Sequence, residues 1–201
     1  MAGDGARLPF VGLTGGIAAG KSEALEALER LGAATLSTDA VTHELLTTGE
    51  VRDMLIERFG AAVAPDGEID RSAVAEVVFG DEEQRKWLEG LLWPRVGQRV
   101  MEWRKAVEDR DPPPAAAVVE VPLLFEAGME NGFDTTIAVV AEEPVREERA
   151  GERGHRGLES RTSRQLSQEE KADRADIVVH NDGSIADLER ELSSVLATMK
   201  P

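Results

Sequence analysis

The chain has no cysteine, which removes disulfides, thiolate zinc sites and cysteine nucleophiles together. Histidine is scarce as well. His43, His155 and His180 are scattered without ligand spacing, so any metal is expected to be an oxygen-loving ion such as Mg²⁺. Long apolar runs are missing: no stretch approaches the ~20 residues of a membrane span. The first residues, MAGDGARLPFVGLTGG, have neither a basic start nor a signal-like apolar run, which predicts a cytoplasmic protein. Positive charge is in deficit, with 23 Lys and Arg against 39 Asp and Glu and a net charge of −16. That balance argues against nucleic-acid and membrane partners and for small-molecule ones, so an anionic substrate must be held by local basic groups. At 201 residues the chain is long enough to bury a real core without a staple.

What is present begins with a strand at Leu8–Leu13, a glycine-rich turn, and a helix from Lys21 to Leu31 with Ala24, Leu25, Leu28 and Leu31 on one face. A second strand, Ala33–Leu36, delivers Ser37, Thr38 and Asp39 at its carboxyl end, the edge where α/β sheets place ligands. From Val51 to Val107 the pattern is mostly helical, as in Val96, Val100, Trp103 and Val107, with Asp81 and Gln84 as a capping pair and Pro94 expected to break or kink the run. Trp87, Trp93 and Trp103 fit core positions better than a base-stacking platform. Apolar runs at Ala115–Val121, Thr135–Val140 and Ile177–Val179 read as buried parallel strands. A closing amphipathic helix carries Ile185, Leu188, Leu192, Val195 and Leu196. The expected fold is α/β, a three-layer arrangement with five parallel strands.

The chemistry centres on Gly15-Gly16-Ile17-Ala18-Ala19-Gly20-Lys21-Ser22, a full G-x-x-x-x-G-K-[ST] between a strand and a helix. Small residues let backbone N–H groups turn inward around phosphates, the helix N-terminus adds partial positive charge, Lys21 reaches the outer phosphates, and the Ser22 hydroxyl ligates Mg²⁺. This predicts a P-loop NTPase fold that binds a nucleoside triphosphate with Mg²⁺. Asp39 has two readings, a helix N-cap or a base that accepts a proton from an acceptor hydroxyl, the latter if its strand lies beside the P-loop strand. Glu120 is either a carboxylate near Mg²⁺ or a solvated strand end. Arg146 to Arg164 holds six arginines and four glutamates. It is either a solvated helix laced with i,i+4 pairs or an arginine lid, with Arg149 and Arg153 on one face, Arg161 beyond them, and Gly151, Gly154 and Gly157 as hinges.

The order of these motifs resembles the dephospho-CoA kinase family over nearly the whole chain. The resemblance rests on VGLTGGIAAGKS, TDAVTHEL around Asp39, VEVPLLFEAGMENGFD at 119–134, the Arg149–Arg153 pair, Arg161 with Gln165, and ADIVVHNDGS. It implies transfer of the ATP γ-phosphoryl to the ribose 3′-hydroxyl of 3′-dephospho-CoA, the last step of coenzyme A biosynthesis. Asp39 would be the base, Lys21 and Mg²⁺ would act on the phosphates, Arg149 and Arg153 would serve the lid, and Asn181 would border the adenine. It further implies a nucleotide-binding core of 1–39, 110–145 and 170–201, a helical acceptor domain of 40–109 and a lid of 146–169. Two positions depart from the family pattern: Ser37 replaces an acidic residue often found two positions before the aspartate, and Trp93-Pro94 replaces a His-Pro pair.

Other classes are open to such a P-loop. A kinase for a nucleoside, a nucleotide or shikimate would share Lys21 and the lid, but a helical insertion of this length suits a long acceptor. A guanine-nucleotide switch needs N-K-x-D, which the sequence lacks. A nucleic-acid-dependent ATPase conflicts with the acidic balance. The residues are compatible with a monomer or a homotrimer.

Overall fold

The computed structural model describes residues 7–152 and 165–199. Within them, one compact unit runs to Ser37 and resumes at Arg104, and a second is Thr38–Trp103.

The first unit is built on five strands, β1 (Phe10–Gly15), β2 (Ala34–Ser37), β3 (Ala117–Glu120), β4 (Thr135–Val140) and β5 (Ile177–His180). All are parallel, in the order β2-β3-β1-β4-β5. Parallel strands covered on both faces read as continuous apolar runs, and every residue of β1 and β3 is buried. β1 begins two residues later than its apolar run suggests. Pro9 has no N–H to give the ladder, and its carbonyl instead accepts from Ala117 N at 2.8 Å.

Alternation assigns the two faces. Val11, Leu13, Val118, Ile137, Val139 and Val179 pack with Ala24, Ala27 and Leu28 of α1 (Lys21–Arg30) and Leu188, Leu192 and Leu196 of α8 (Ile185–Thr198). On the opposite face Phe10 stacks on Phe133, with ring centroids 4.7 Å apart, and the Arg104 guanidinium lies 4.2 Å from the Phe10 ring. A Cβ on Gly12 would meet Phe133 and Leu124, so that strand position must be bare. Among the described residues, β4 is also followed by α6 (Glu143–Glu152) and α7 (Gln168–Arg174). Because β2 and β3 flank β1 on one side and β4 and β5 on the other, the loop leaving β1 opens at the switch point of the sheet.

The second unit is helical: α2 (Thr38–Thr47), α3 (Gly49–Phe59), a short 3₁₀ turn at Ala61–Val63, α4 (Arg71–Phe79), and α5 (Glu82–Glu108) as far as Trp103. Asp70 caps α4 through Ser72 N and Ala73 N, and Asp81 caps α5 through Glu83 N and Gln84 N. Pro94 does not break α5, which is a single helix of 27 residues. A proline inside a helix costs about 3 kcal/mol. Leu91, Leu92, Val96 and Val100 are buried on both sides of it, and each such side chain gains about 1.5–3 kcal/mol from burial. The tryptophans do not form the core here. Trp93 is 47% exposed, Trp103 is half-buried, and half-buried Trp87 sets its ring edge-to-face on Phe59 at 5.3 Å.

Candidate functional site: a phosphate cradle at the sheet edge

The loop between β1 and α1 turns because its residues permit left-handed backbone. Gly20 has φ 92° and serves as the N-cap of α1 with no side-chain capping bond, and Ala18 also adopts a positive φ, 60°. Gly20 has no side chain with which to cap the first N–H groups of α1, the arrangement found where a helix N-terminus meets an anion. A Cβ on Gly20 would overlap Asn181 Nδ2, and one on Gly16 would come within 3.0 Å of Gln168 Cβ. Lys21 Nζ donates to the carbonyls of Gly16 at 3.0 Å and Gly15 at 3.3 Å, which stations the ammonium over the loop.

For N–H groups to converge on a phosphate, the loop's carbonyls must point outward and find donors of their own. Two come from far along the chain. Arg146 Nε donates to Ile17 O at 3.0 Å, and Asn181 Nδ2 donates to Ala19 O at 3.0 Å and to Glu23 Oε2 at 3.4 Å. Arg146 is itself paired with Glu143 at 2.9 Å. Asn181 is 1% exposed, and its own carbonyl accepts from Arg149 Nη1 at 3.0 Å. Gln168 clamps the end of β4, accepting from Ala141 N and donating to Ala141 O at 2.9 Å. Beneath the loop, the buried Lys171 ammonium bonds the Pro122 carbonyl and forms an ion pair with Glu126 at 3.1 Å. Burial pushes the Lys171 pKa down, and Glu126 pulls it back up.

Gly15 to Ser22 make up the end of β1, the loop and the start of α1, and Asn181 stands against that loop through its bond to Ala19 O. Glu120 is 6% exposed rather than solvated. It ends β3 in register with Leu13 on one side and Ser37 on the other. Asp39 is exposed and lies one residue inside α2, so it is not the cap. Its strand is not beside the P-loop strand either, because β3 runs between β2 and β1. Arg149 sits in α6, which begins at Glu143, ahead of the arginine-rich run. Arg153 and Arg161, with Gly154 and Gly157, lie outside the described residues.

Sequence reasoning missed Arg146 as a loop donor, and it missed Gln168, Lys171 and Glu126 altogether. The α7 sequence QEEKADR has no apolar stripe to mark a buried face, so nothing local distinguishes Lys171 from a solvated lysine. Among the described residues no group of three or more carboxylates or histidines could hold a metal ion. The donors present, the Ser22 hydroxyl and the Glu120 carboxylate, fit Mg²⁺ only as an ion completed by phosphate oxygens and water, its usual mode beside nucleotides.

A glycine-built anion cradle at a helix N-terminus, on the carboxyl edge of a five-stranded parallel sheet, defines a P-loop phosphate-binding α/β protein. Within that class the chain belongs to the dephospho-CoA kinase family, whose family model, described as dephospho-CoA kinase, matches residues 9–187. A curated dephospho-CoA kinase of Moorella thermoacetica is 40% identical over 195 residues, covering 94% of this chain and 89% of the relative. That of Protochlamydia amoebophila is 34% identical and covers 96% and 98%. Among solved structures, a Thermus thermophilus protein superposes with a TM-score of 0.80 at 33% identity, covering 97% of this chain and all of the other. The dephospho-CoA kinase from Campylobacter jejuni gives 0.62 at 26% identity, covering 94% and 97%. No helix among the described residues is long and apolar enough to cross a membrane.

Proposed function

We propose that the protein transfers the γ-phosphoryl of ATP to the ribose 3′-hydroxyl of 3′-dephospho-CoA, giving CoA and ADP, in the cytoplasm. The observation that carries this is the cradle itself. The Ile17 and Ala19 carbonyls are held by Arg146 and Asn181, Gly20 opens α1 without a side-chain cap, and Lys21 is stationed above the loop. Family membership supplies the acceptor.

The loop N–H groups and Lys21 bind and orient the phosphates. The Ser22 hydroxyl and, one strand away, the Glu120 carboxylate are suited to hold Mg²⁺, which when bound offsets phosphate charge. Asp39 follows β2 by two residues and carries an exposed carboxylate at the start of α2. With β3 between β2 and β1, the base role is assigned on family membership rather than on strand adjacency: Asp39 takes the hydroxyl proton as the new O–P bond forms and the bond from the γ-phosphorus to ADP breaks. Arg149, and Arg153 beyond the described residues, are assigned to charge stabilisation on the transferring group, with 146–169 as the lid and 40–109 as the acceptor domain. Asn181, braced on Ala19, borders the nucleotide.

The test is turnover of Mg²⁺-ATP with dephospho-CoA, adenosine, AMP, CMP and shikimate as acceptors, followed by product mass. CoA is expected from dephospho-CoA alone, and phosphorylation of another acceptor instead would refute the assignment. Asp39→Asn should lower kcat by about 10²–10⁴-fold while leaving the ATP dissociation constant near that of the unaltered protein. A kcat within a few-fold of the unaltered protein would remove Asp39 as base. Lys21→Ala should weaken ATP binding and kcat together.

A further inference from the structure

Lys171 is the largest fully buried side chain in the described core, 0% exposed, and no step assigned above uses it. A lysine in such a place loses its hydration and keeps its charge only with good partners. Its Nζ donates to Pro122 O at 2.5 Å, pairs with Glu126 Oε1 at 3.1 Å, and reaches Thr14 Oγ1 at 3.5 Å. Each partner is the hinge of something else. Thr14 is the residue before the phosphate loop, is itself fully buried, and donates its hydroxyl to the same Pro122 carbonyl at 3.4 Å. Pro122 opens the turn two residues after Glu120. Glu126 Oε1 also accepts from Leu166 N at 2.9 Å, two residues before α7 begins. On the same helix, one turn before Lys171, Gln168 stands against Gly16 and clamps Ala141.

We propose that Lys171, neutralised by Glu126, is a positioning residue for the nucleotide: its ammonium fixes the root of the phosphate loop, the turn after β3 and the main chain at Leu166 to one another, and so sets the affinity for ATP phosphates. The inference rests on the proposed nucleotide site. Its readout is ATP affinity rather than turnover, so it stands or falls separately from the identity of the acceptor. The ammonium touches no substrate. It acts through Thr14 on Gly15 and through Gln168 on Gly16.

The experiment uses the full chain and measures ATP dissociation constants by calorimetric titration and thermal unfolding midpoints for Lys171→Met and for the double variant Lys171→Met with Glu126→Leu. The single variant leaves the Glu126 carboxylate buried without its cation, and it should lower the midpoint and weaken ATP binding. The double variant replaces a buried ion pair by apolar groups of similar size, a change that commonly restores stability. The expected result is that the double variant recovers most of the midpoint yet still binds ATP about tenfold or more weakly, as expected for a lost charged hydrogen bond. If ATP affinity returns with the midpoint, the pair is only structural and the proposal is overturned. If Lys171→Met binds ATP as the unaltered protein does, at a temperature where both are folded, it is overturned as well.

Discussion

The contact between Gly20 and Asn181 permits a quantitative test of how the loop is held. Gly20→Ala introduces two costs. The backbone is at φ 92°, where an alanine is strained by about 1–2 kcal/mol, and the new Cβ would overlap Asn181 Nδ2 and push the amide off the Ala19 carbonyl. That displacement orphans a buried acceptor and donor, a loss of about 1–3 kcal/mol. Asn181→Ala alone loses the same bond, about 2 kcal/mol, without the strain. The two substitutions therefore share one term. Their sum is about 5–6 kcal/mol, but the double variant should cost only about 3–4 kcal/mol, because once the amide is gone the Cβ meets nothing to displace. For a chain of this length 1 kcal/mol shifts the midpoint by about 2–4 °C, so the non-additivity should appear as about 4–8 °C in scanning calorimetry of the nucleotide-free protein. Strictly additive midpoint shifts would refute the view that Asn181 is the group that Gly20 makes room for.

Two further outcomes can be checked on the scaffold. Asp176 accepts from both the N–H and the hydroxyl of buried Thr136 at 2.8 Å, so Asp176→Ala should cost about 2 kcal/mol and lower the midpoint by about 4–8 °C. Asp176→Asn keeps an acceptor oxygen and should cost clearly less; equal losses would count against the hydrogen-bond account. The Ser184 hydroxyl and main-chain N–H, with Arg190 beside them, hold the Asp187 carboxyl down at about 2. A depressed acid contributes fully above its unfolded value and loses that contribution as pH falls through its folded one. The midpoint difference between the unaltered protein and Asp187→Asn should thus be constant above about pH 4 and shrink toward pH 2, and a difference that widens in acid would contradict the assignment.

The parts of the molecule that were legible from sequence are those where a residue type is dictated by backbone geometry or by burial on two faces. The phosphate loop was readable because only glycine and small residues fit beside Asn181, Gln168 and Val139. The strands were readable because both faces of the sheet are covered, which makes Thr135–Val140 apolar throughout apart from its threonines. Strand order was not, since β2 precedes β3 in sequence but is displaced from β1 by it, and local pattern carries no information on where a crossover returns. The absence of a break at Pro94 was not legible for a related reason. Its local cost is real, but the buried row of α5 that outweighs it belongs to tertiary packing. Lys171 and Gln168 were illegible because a short polar helix looks solvated until its partners, more than a hundred residues away for Thr14, are in view.

The same distances explain how a generic loop becomes a specific site. Gly15 to Ser22 supply N–H groups that any such sequence would supply, but a loop of small residues has many conformations, and only one turns those groups inward. The donors that select it are Arg146 on Ile17, Asn181 on Ala19 and, at its root, Lys171 on Thr14, all contributed by the chain after β4. Each satisfies a carbonyl of the loop or the hydroxyl at its root that would otherwise be left without a partner. The Arg146 and Arg149 bonds place the start of the arginine-rich segment on the loop and on its Asn181 brace. Any movement of α6 is thereby coupled to the carbonyls of Ile17 and Asn181. Substituting Arg146 should accordingly loosen the loop even though its guanidinium faces a carbonyl rather than a phosphate, and in this respect Arg146 and Arg149 differ from residues of a solvated charged helix.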